Sequence, residues 1–306
     1  MYSKNEKIEK SRSGAVFMKQ SRKAYGKINL GLDVTGKRAD GYHIVRMIMQ
    51  NVDIYDTLTF EDNETGEIVL TASSESIPTD DSNLICKVAK QLKEKFNVDK
   101  GINIHLEKRI PVAAGMAGGS TDGAATYLAL NDIWGLGQSK EELCKLAVSL
   151  GADIPYCIMG GTMVAEGIGE ELTAIADMPE CSIVVAKPAI GVSTGWVYTE
   201  LDSKPIEKHP DIDGIRSAIE NGDLKGMCAL IDNVLEHVTA SKYEEIGKIE
   251  RVLEDNGAIR AFMTGSGPTV FGIFEDEDKA RAAYEAVEDS KLAPELFLTK
   301  PINPNR

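Results

Sequence analysis

The sequence is notable first for what it lacks. No two of its cysteines form a C-x-x-C pair: Cys86, Cys144, Cys157, Cys181 and Cys228 are scattered and odd in number. That argues against a disulfide framework and fits free thiols in a reducing compartment, so a cytoplasmic location is expected. The four histidines, His43, His105, His209 and His237, show no metal-ligand spacing. No apolar run approaches the roughly 20 residues of a membrane span, and no signal-peptide core is present. An excess of positive charge is also missing. The formal net charge is −14 and the sequence pI about 4.9, which argues against a general binder of nucleic acid or acidic membrane. The acidity suits solubility. It also means that an anionic substrate is not drawn in by the global field and has to be captured by local donors. Internal repeats and low-complexity tracts are absent, and nothing requires more than a monomer or a weak homodimer.

What is present is ordinary globular composition, 42% hydrophobic and 27% charged over 306 residues. That length suggests about two domains. Residues 1–22 are polar and mildly basic, with Lys4, Lys7, Lys10, Lys19 and Arg22 interleaved with Glu6 and Glu9. They read as a disordered leader. The chain then divides into residues 23–160 and residues 161–306.

The most informative stretch is Pro111–Ala125, P-V-A-A-G-M-A-G-G-S-T-D-G-A-A. Ahead of it Ile102, Ile104 and Leu106 alternate with Asn103, His105 and Glu107, a strand pattern. Behind it a helix is expected from about Ser120 to Trp134. A strand, a small-residue loop and a helix start form an anion site, because unpaired backbone N–H groups and the helix dipole converge there. Glycine and alanine let the anion approach the backbone. No G-K-[ST] follows the glycines and the G-x-G-x-x-G spacing fails, so any cation comes from elsewhere in the chain.

Alternation over Ala24–Val34 puts Ala24, Gly26, Ile28, Leu30, Leu32 and Val34 on one face, with Lys27 and Asn29 side by side on the other. Thr35–His43 is a turn-rich loop ending in Tyr42-His43. A helix runs from about Ser82 to Phe96, with Asp81 or Ser82 as its N-cap. Ser139 and Glu142 form a capping box, and Gly151 stops the helix it opens. Asp153 follows at a turn before Pro155, either as the cap of a short helix or as a functional carboxylate. Helical patterns cover about 211–221, 223–238 and 242–256. A strand at 258–263 runs into Thr264-Gly265-Ser266-Gly267-Pro268. This order gives an α+β second domain with an antiparallel sheet.

Three motifs in order, A-Y-G-K-I-N-L, P-V-A-A-G-M-A-G-G-S-T-D-G-A-A and M-T-G-S-G-P-T-V-F, resemble the GHMP kinases. The resemblance covers almost all of the chain beyond residue 23. R-A-D-G-Y-H at 38–43 and L-G-A-D-I-P at 150–155 narrow it to the branch that acts on 4-diphosphocytidyl-2-C-methyl-D-erythritol in isoprenoid precursor synthesis. The resemblance implies a two-domain α+β fold, with a ribosomal-S5-like N-terminal domain, a ferredoxin-like C-terminal domain and a site in the cleft between them. It implies ATP as phosphoryl donor, held by Pro111, Val112, Ala113, Ala114, Gly115, Met116, Ala117, Gly118, Gly119, Ser120 and Thr121. Lys27 and Asp153 are carried over as the catalytic pair. Asp153 accepts the proton of the substrate C2 hydroxyl, and Lys27 holds Asp153 ionised and balances phosphoryl charge. Asn29 orients the polar site.

On the cytidyl side, Tyr42 and His43 match the recognition segment and Tyr198 supplies a second aromatic face. Gly265 and Ser266 close the cleft. Mg²⁺ is expected between the β- and γ-phosphates, with Ser120 or Thr121 able to touch it and no carboxylate assigned. Many members of the family read G-L-G-G-G-S-S-D where this chain reads Gly115-Met116-Ala117-Gly118-Gly119-Ser120-Thr121-Asp122. Alanine at 117 is tolerable only with negative φ, and Thr121 keeps the hydroxyl.

Overall fold

The computed structural model describes residues 5–10 and 16–305. The chain begins with strands β1 (Asn5–Lys10), β2 (Val16–Lys37), β3 (His43–Asn63) and β4 (Ile68–Ala72). Helix α1 (Leu84–Phe96), β5 (Gly101–Glu107), α2 (Gly118–Ile133), α3 (Lys140–Ala147) and α4 (Ile154–Met159) follow. Next come β6 (Thr162–Glu166), β7 (Glu171–Ala174), β8 (Ser182–Lys187), α5 (Thr194–Leu201), α6 (Ile212–Glu220) and α7 (Leu224–Leu230). The chain continues through β9 (Asp232–Asn233), α8 (Val234–Lys242), α9 (Glu244–Asp255), β10 (Arg260–Met263) and β11 (Val270–Phe274). It closes with α10 (Glu277–Ser290), β12 (Glu295–Thr299) and β13 (Pro301–Ile302).

Two sheets organise these elements. The first runs β1-β2-β3-β5-β4, with β6 and β13 added to β3, β7 to β6 and β9 to β2. Because β6 and β7 belong to it, the expected division between residues 160 and 161 falls inside this sheet, which the chain does not leave until Ala174. The second sheet has the order β10-β11-β8-β12, antiparallel throughout. Taken by position along the chain, its strands lie in the order 2-3-1-4, the βαββαβ arrangement of a ferredoxin-like fold.

The N-terminal reading needs correction. Within residues 1–22, expected to be disordered, Asn5–Lys10 pairs antiparallel with Val16–Ser21 and β2 continues without a break. Residues 1–4 and 11–15 lie outside the described residues. Two charges of this stretch, Lys19 and Arg22, are partnered. Lys19 faces Glu61 across the strands, and Arg22, buried, donates to Asp132 at 2.5 Å.

β2 also departs from strict alternation. Ala24, Leu32 and Val34 lie in one core, whereas Ile28 and Leu30 lie in a second. Register breaks between Tyr25 and Lys27 and between Asn29 and Gly31 account for this. Each inserted residue moves its successors to the other face, and the two shifts bring Lys27 and Asn29 to the side of α4. Both are buried.

Local signals explain the helices. α1 is capped by Asn83, whose side chain accepts from the Ile85 amide, rather than by Asp81 or Ser82. α3 opens with the Ser139–Glu142 capping box. α2 is buried continuously from Thr121 to Leu130, and Gly123 lets it approach Val88 and Ile154. The single helix expected over 223–238 is two, broken where β9 pairs in parallel with Gly31 and Leu32 of β2.

Candidate active site

A cavity of about 960 Å³ brings together the loop before α2, β2, the start of α4, α5 and the turn after β10. Its size is at the upper end for small-molecule sites. Nine of the eleven loop residues expected at the nucleotide line it. The exceptions are Met116, buried in the second core, and Thr121, whose hydroxyl donates to the Tyr25 carbonyl at 2.8 Å. Of the two hydroxyls considered for the metal, only Ser120 lines the cavity.

The loop is held in a costly conformation. Ala113 has φ +52°, Gly115 +70° and Ala117 +58°. The requirement that Ala117 have negative φ is therefore not met, and a left-handed alanine costs about 1–2 kcal/mol. Anchors hold it there. The Lys27 amide donates to the Met116 carbonyl at 3.1 Å and the Thr121 amide to the Ala117 carbonyl at 2.9 Å. Ala117 gives α2 no side-chain cap, so the first amides of the helix are left to whatever enters the cavity.

Lys27 sits under this loop. Its ammonium donates to Asn29 Oδ1 at 2.6 Å and to the Gly115 carbonyl at 2.7 Å. Burial pushes it below the ordinary lysine range, and the Asp153 carboxylate opposes that shift. Asp153 stands at the N-cap position of α4, but its side chain makes no capping bond. It faces the cavity with no hydrogen-bond partner among the described residues. Of the two roles open to it in the sequence, capping is therefore unused. Asn29 donates to Met47 Sδ at 3.3 Å, and its amide donates to Thr264 Oγ1 at 3.0 Å.

Motif reading missed Lys108. Its ammonium lies 2.5 Å from Asp56 and 2.9 Å from Asp122, and all three side chains are buried. Asp56 also accepts the Arg109 and Ile110 amides, at 2.5 and 2.8 Å. Burial draws Lys108 down, but Asp122 and Asp56 outweigh it and leave the ammonium above its ordinary range. Burial raises Asp122 well above the carboxylate range, Lys108 opposes the shift and Asp56 adds to it. Burial thus shifts Asp122, more than its neighbours, toward its protonated form. A Cβ on Gly118 would lie 2.9 Å from the Lys108 ammonium, which places this charge directly beneath the helix start. A sequence signal existed, a lysine three residues before the loop, but its partners are remote along the chain.

At the far end of the cavity the rings of His43 and Tyr198 are stacked, 4.5 Å between centroids and 25° apart. His43 Nε2 lies 2.7 Å from Asp202, which also accepts from Lys37 at 2.5 Å. The expected division, with Tyr198 as one face and Tyr42-His43 as the other, needs adjustment. As placed, no base fits between His43 and Tyr198, and Tyr42, 58% exposed at the cavity, is the ring still uncovered. Burial, and then Asp153, raises the Tyr198 hydroxyl to about 12, which keeps it neutral. Gly265 and Ser266 line the cavity, and Ser266 Oγ is 2.8 Å from Thr194 Oγ1. A Cβ on Gly265 would lie 2.9 Å from the Gly115 carbonyl, so the two loops touch. Ile77, Pro78, Asn83 and Leu84, which no motif marked, form the wall beside Val112.

Comparison with known proteins agrees with this geometry. The family model described as GHMP kinases N terminal domain matches residues 83–161, and that described as GHMP kinases C terminal matches residues 215–292. The 4-diphosphocytidyl-2-C-methyl-D-erythritol kinase of Lachnoclostridium phytofermentans is 46% identical over 280 residues, covering 92% of this chain and 96% of that protein. The enzyme of the same name from Caldicellulosiruptor bescii is 47% identical over 277 residues, 90% of this chain and 96% of its own. A crystal structure of 4-(cytidine 5'-diphospho)-2C-methyl-D-erythritol kinase superposes with a TM-score of 0.78 at 30% identity, covering 92% of this chain and 98% of that one. Homoserine kinase from Cytophaga hutchinsonii, at 15% identity and a TM-score of 0.74, shares the fold. The chain belongs to the GHMP kinase family, and within it to the 4-diphosphocytidyl-2-C-methyl-D-erythritol kinases.

Proposed function

We propose that this chain transfers the γ-phosphoryl group of ATP to the C2 hydroxyl of 4-diphosphocytidyl-2-C-methyl-D-erythritol, giving the 2-phosphate and ADP. One observation carries the assignment of roles. A buried lysine and a carboxylate with no hydrogen-bond partner face each other at the cavity, directly below an uncapped helix start. Asp153 takes the hydroxyl proton as the oxygen attacks phosphorus. The charge of Lys27 keeps Asp153 ionised and stabilises the phosphoryl oxygens in transfer. Asn29 fixes the ammonium by its 2.6 Å bond.

The phosphates lie along the amides of Gly118, Gly119 and Ser120. The apolar wall of Ile77, Pro78 and Leu84 covers the adenine. Cytosine lies against Tyr42, beside the His43–Tyr198 stack. Division of the chain after Ala174 would leave this cleft between the two sheets. Five free cysteines support a cytoplasmic setting.

The residues present fit a nucleotide-borne Mg²⁺. Among the described residues no group of three His, Cys, Asp or Glu could hold a metal by itself. The ion usually keeps waters and takes few protein ligands beside phosphate oxygens. Ser120 would supply the hydroxyl, since it lines the cavity and makes no hydrogen bond to the described residues. The ion would neutralise charge across the β- and γ-phosphates.

Asp153→Asn tests the base assignment. It is expected to lower kcat by about 10²-fold or more while ATP binding survives. Near-normal kcat would remove Asp153 from the role.

A further inference from the structure

Asn233 lies outside the cavity and is 1% exposed, yet it joins three elements that meet at Lys27. Its Oδ1 accepts the Leu235 amide at 3.0 Å and starts α8. Its Nδ2 donates to the Met263 carbonyl at 3.1 Å and to the Gly265 carbonyl at 2.9 Å. Its backbone pairs in parallel with Leu32 of β2, the strand that carries Lys27 and Asn29. Every donor and acceptor of the amide side chain is therefore engaged, and two of its bonds hold the turn that closes the cavity.

That turn is in direct contact with the catalytic lysine. Gly265, at φ +59°, approaches so closely that a Cβ would lie 3.3 Å from the Lys27 ammonium. Thr264 Oγ1 accepts the Asn29 amide. The turn is thus a wall of the space in which Lys27 is desolvated. We propose that Asn233 is a positioning residue of phosphoryl transfer: through its two carbonyl bonds it holds the Thr264–Gly265 turn against Lys27 and Gly115. Releasing the Gly265 carbonyl lets the turn withdraw, admits water to the ammonium and loosens the geometry in which Lys27 meets the phosphoryl group. Displacement of about 1 Å at such a site costs on the order of 10²-fold in rate. The inference rests on the kinase reading above, and its test separates the two.

Asn233→Ser keeps a helix-capping oxygen but cannot reach both carbonyls. The full chain and this variant are compared by steady-state kinetics with Mg-ATP and the cytidyl substrate, by thermal unfolding, and by NMR titration of the Lys27 ammonium. The expected result is a kcat lowered about 10- to 100-fold, KM values changed less than about threefold, and a Lys27 pKa moved up toward the ordinary lysine value. Unchanged kcat and an unchanged Lys27 titration, with only the unfolding midpoint lowered, would make Asn233 merely structural and overturn the proposal. The Lys27 titration does not depend on which acceptor is used, so an inactive wild type would count against the kinase reading alone. Should the serine variant not fold, Asn233→Asp retains the shape and the cap. Its kcat is expected to recover as pH falls and the carboxyl regains a proton to donate to the Gly265 carbonyl, whereas a pH profile parallel to that of the wild type would overturn the proposal.

Discussion

The Lys27 ammonium donates to the Gly115 carbonyl at 2.7 Å, so the side chain assigned to phosphoryl transfer also fastens the loop assigned to the nucleotide. Lys27→Met removes both contributions. It is expected to lower kcat by about 10²- to 10³-fold and also to raise the KM for ATP. Steady-state kinetics over varied ATP checks this, and a KM for ATP equal to that of the wild type would separate the lysine from the loop.

The loop carries strain that a single substitution can relieve. Ala117 sits at φ +58°, where glycine has no steric cost. Relief of about 1–2 kcal/mol is offset by the extra freedom of glycine in the unfolded chain, about 0.4–1 kcal/mol. Ala117→Gly is therefore expected to be neutral or stabilising by up to about 1.6 kcal/mol in urea unfolding. A loss of more than that would show that the alanine methyl has a packing role outweighing the strain.

Lys108 and Asp122 should respond very differently to neutral replacement. Lys108→Met leaves Asp56 buried without its counter-charge, and breaking a buried pair in this way costs about 3–5 kcal/mol. Burial shifts Asp122 toward its protonated form. An amide of the same shape at position 122 is expected to cost within about 1 kcal/mol. Equal losses in chemical denaturation would contradict this difference between the two.

The second domain contains a pH-sensitive pair. Glu236 accepts the Met263 amide at 2.7 Å. Burial, then Glu250, pushes Glu236 up to about 9. Burial pushes Glu250 up to about 7, with the hydrogen bond from Glu236 opposing the shift. Glu254 adds to the rise of Glu250, while Arg251 and Arg260 oppose it. Both groups are raised above their ordinary 4.5, so the fold favours their protonated forms. The stability they contribute is complete below about pH 4.5 and declines as pH rises through about 7 and then about 9. The unfolding free energy is expected to fall between pH 6 and 9, and Glu236→Gln, which mimics the protonated acid, should flatten that dependence. An identical slope in the variant would refute the assignment.

Features set by neighbours along the chain were legible in the sequence. The Ser139–Glu142 cap, the alternation of β5 and the small-residue loop ahead of α2 all depend on residues a few positions apart. The family motifs brought Lys27, Asn29 and Asp153 into view, and the fold places them at one cavity. Features set by remote partners were not legible. Two of the three register breaks of β2 flank Ile28; they depend on the pairing with β3 and put Ile28 and Leu30 in the second core. Lys108 finds Asp56 across 52 positions of sequence. Ile231–Asn233 interrupts a helical pattern because β2 offers a strand edge there. His43 stacks on Tyr198 only because α5 packs beside the start of β3. For the same reason the sequence reading set the boundary at 160/161, before β6, whose partner β3 lies more than a hundred residues earlier.

The most direct measurement of the central claim is ADP release by the purified chain with Mg-ATP, offered separately 4-diphosphocytidyl-2-C-methyl-D-erythritol, homoserine and mevalonate. Turnover is predicted with the cytidyl substrate alone. Absence of turnover with that substrate, or faster turnover with homoserine or mevalonate, would contradict the account.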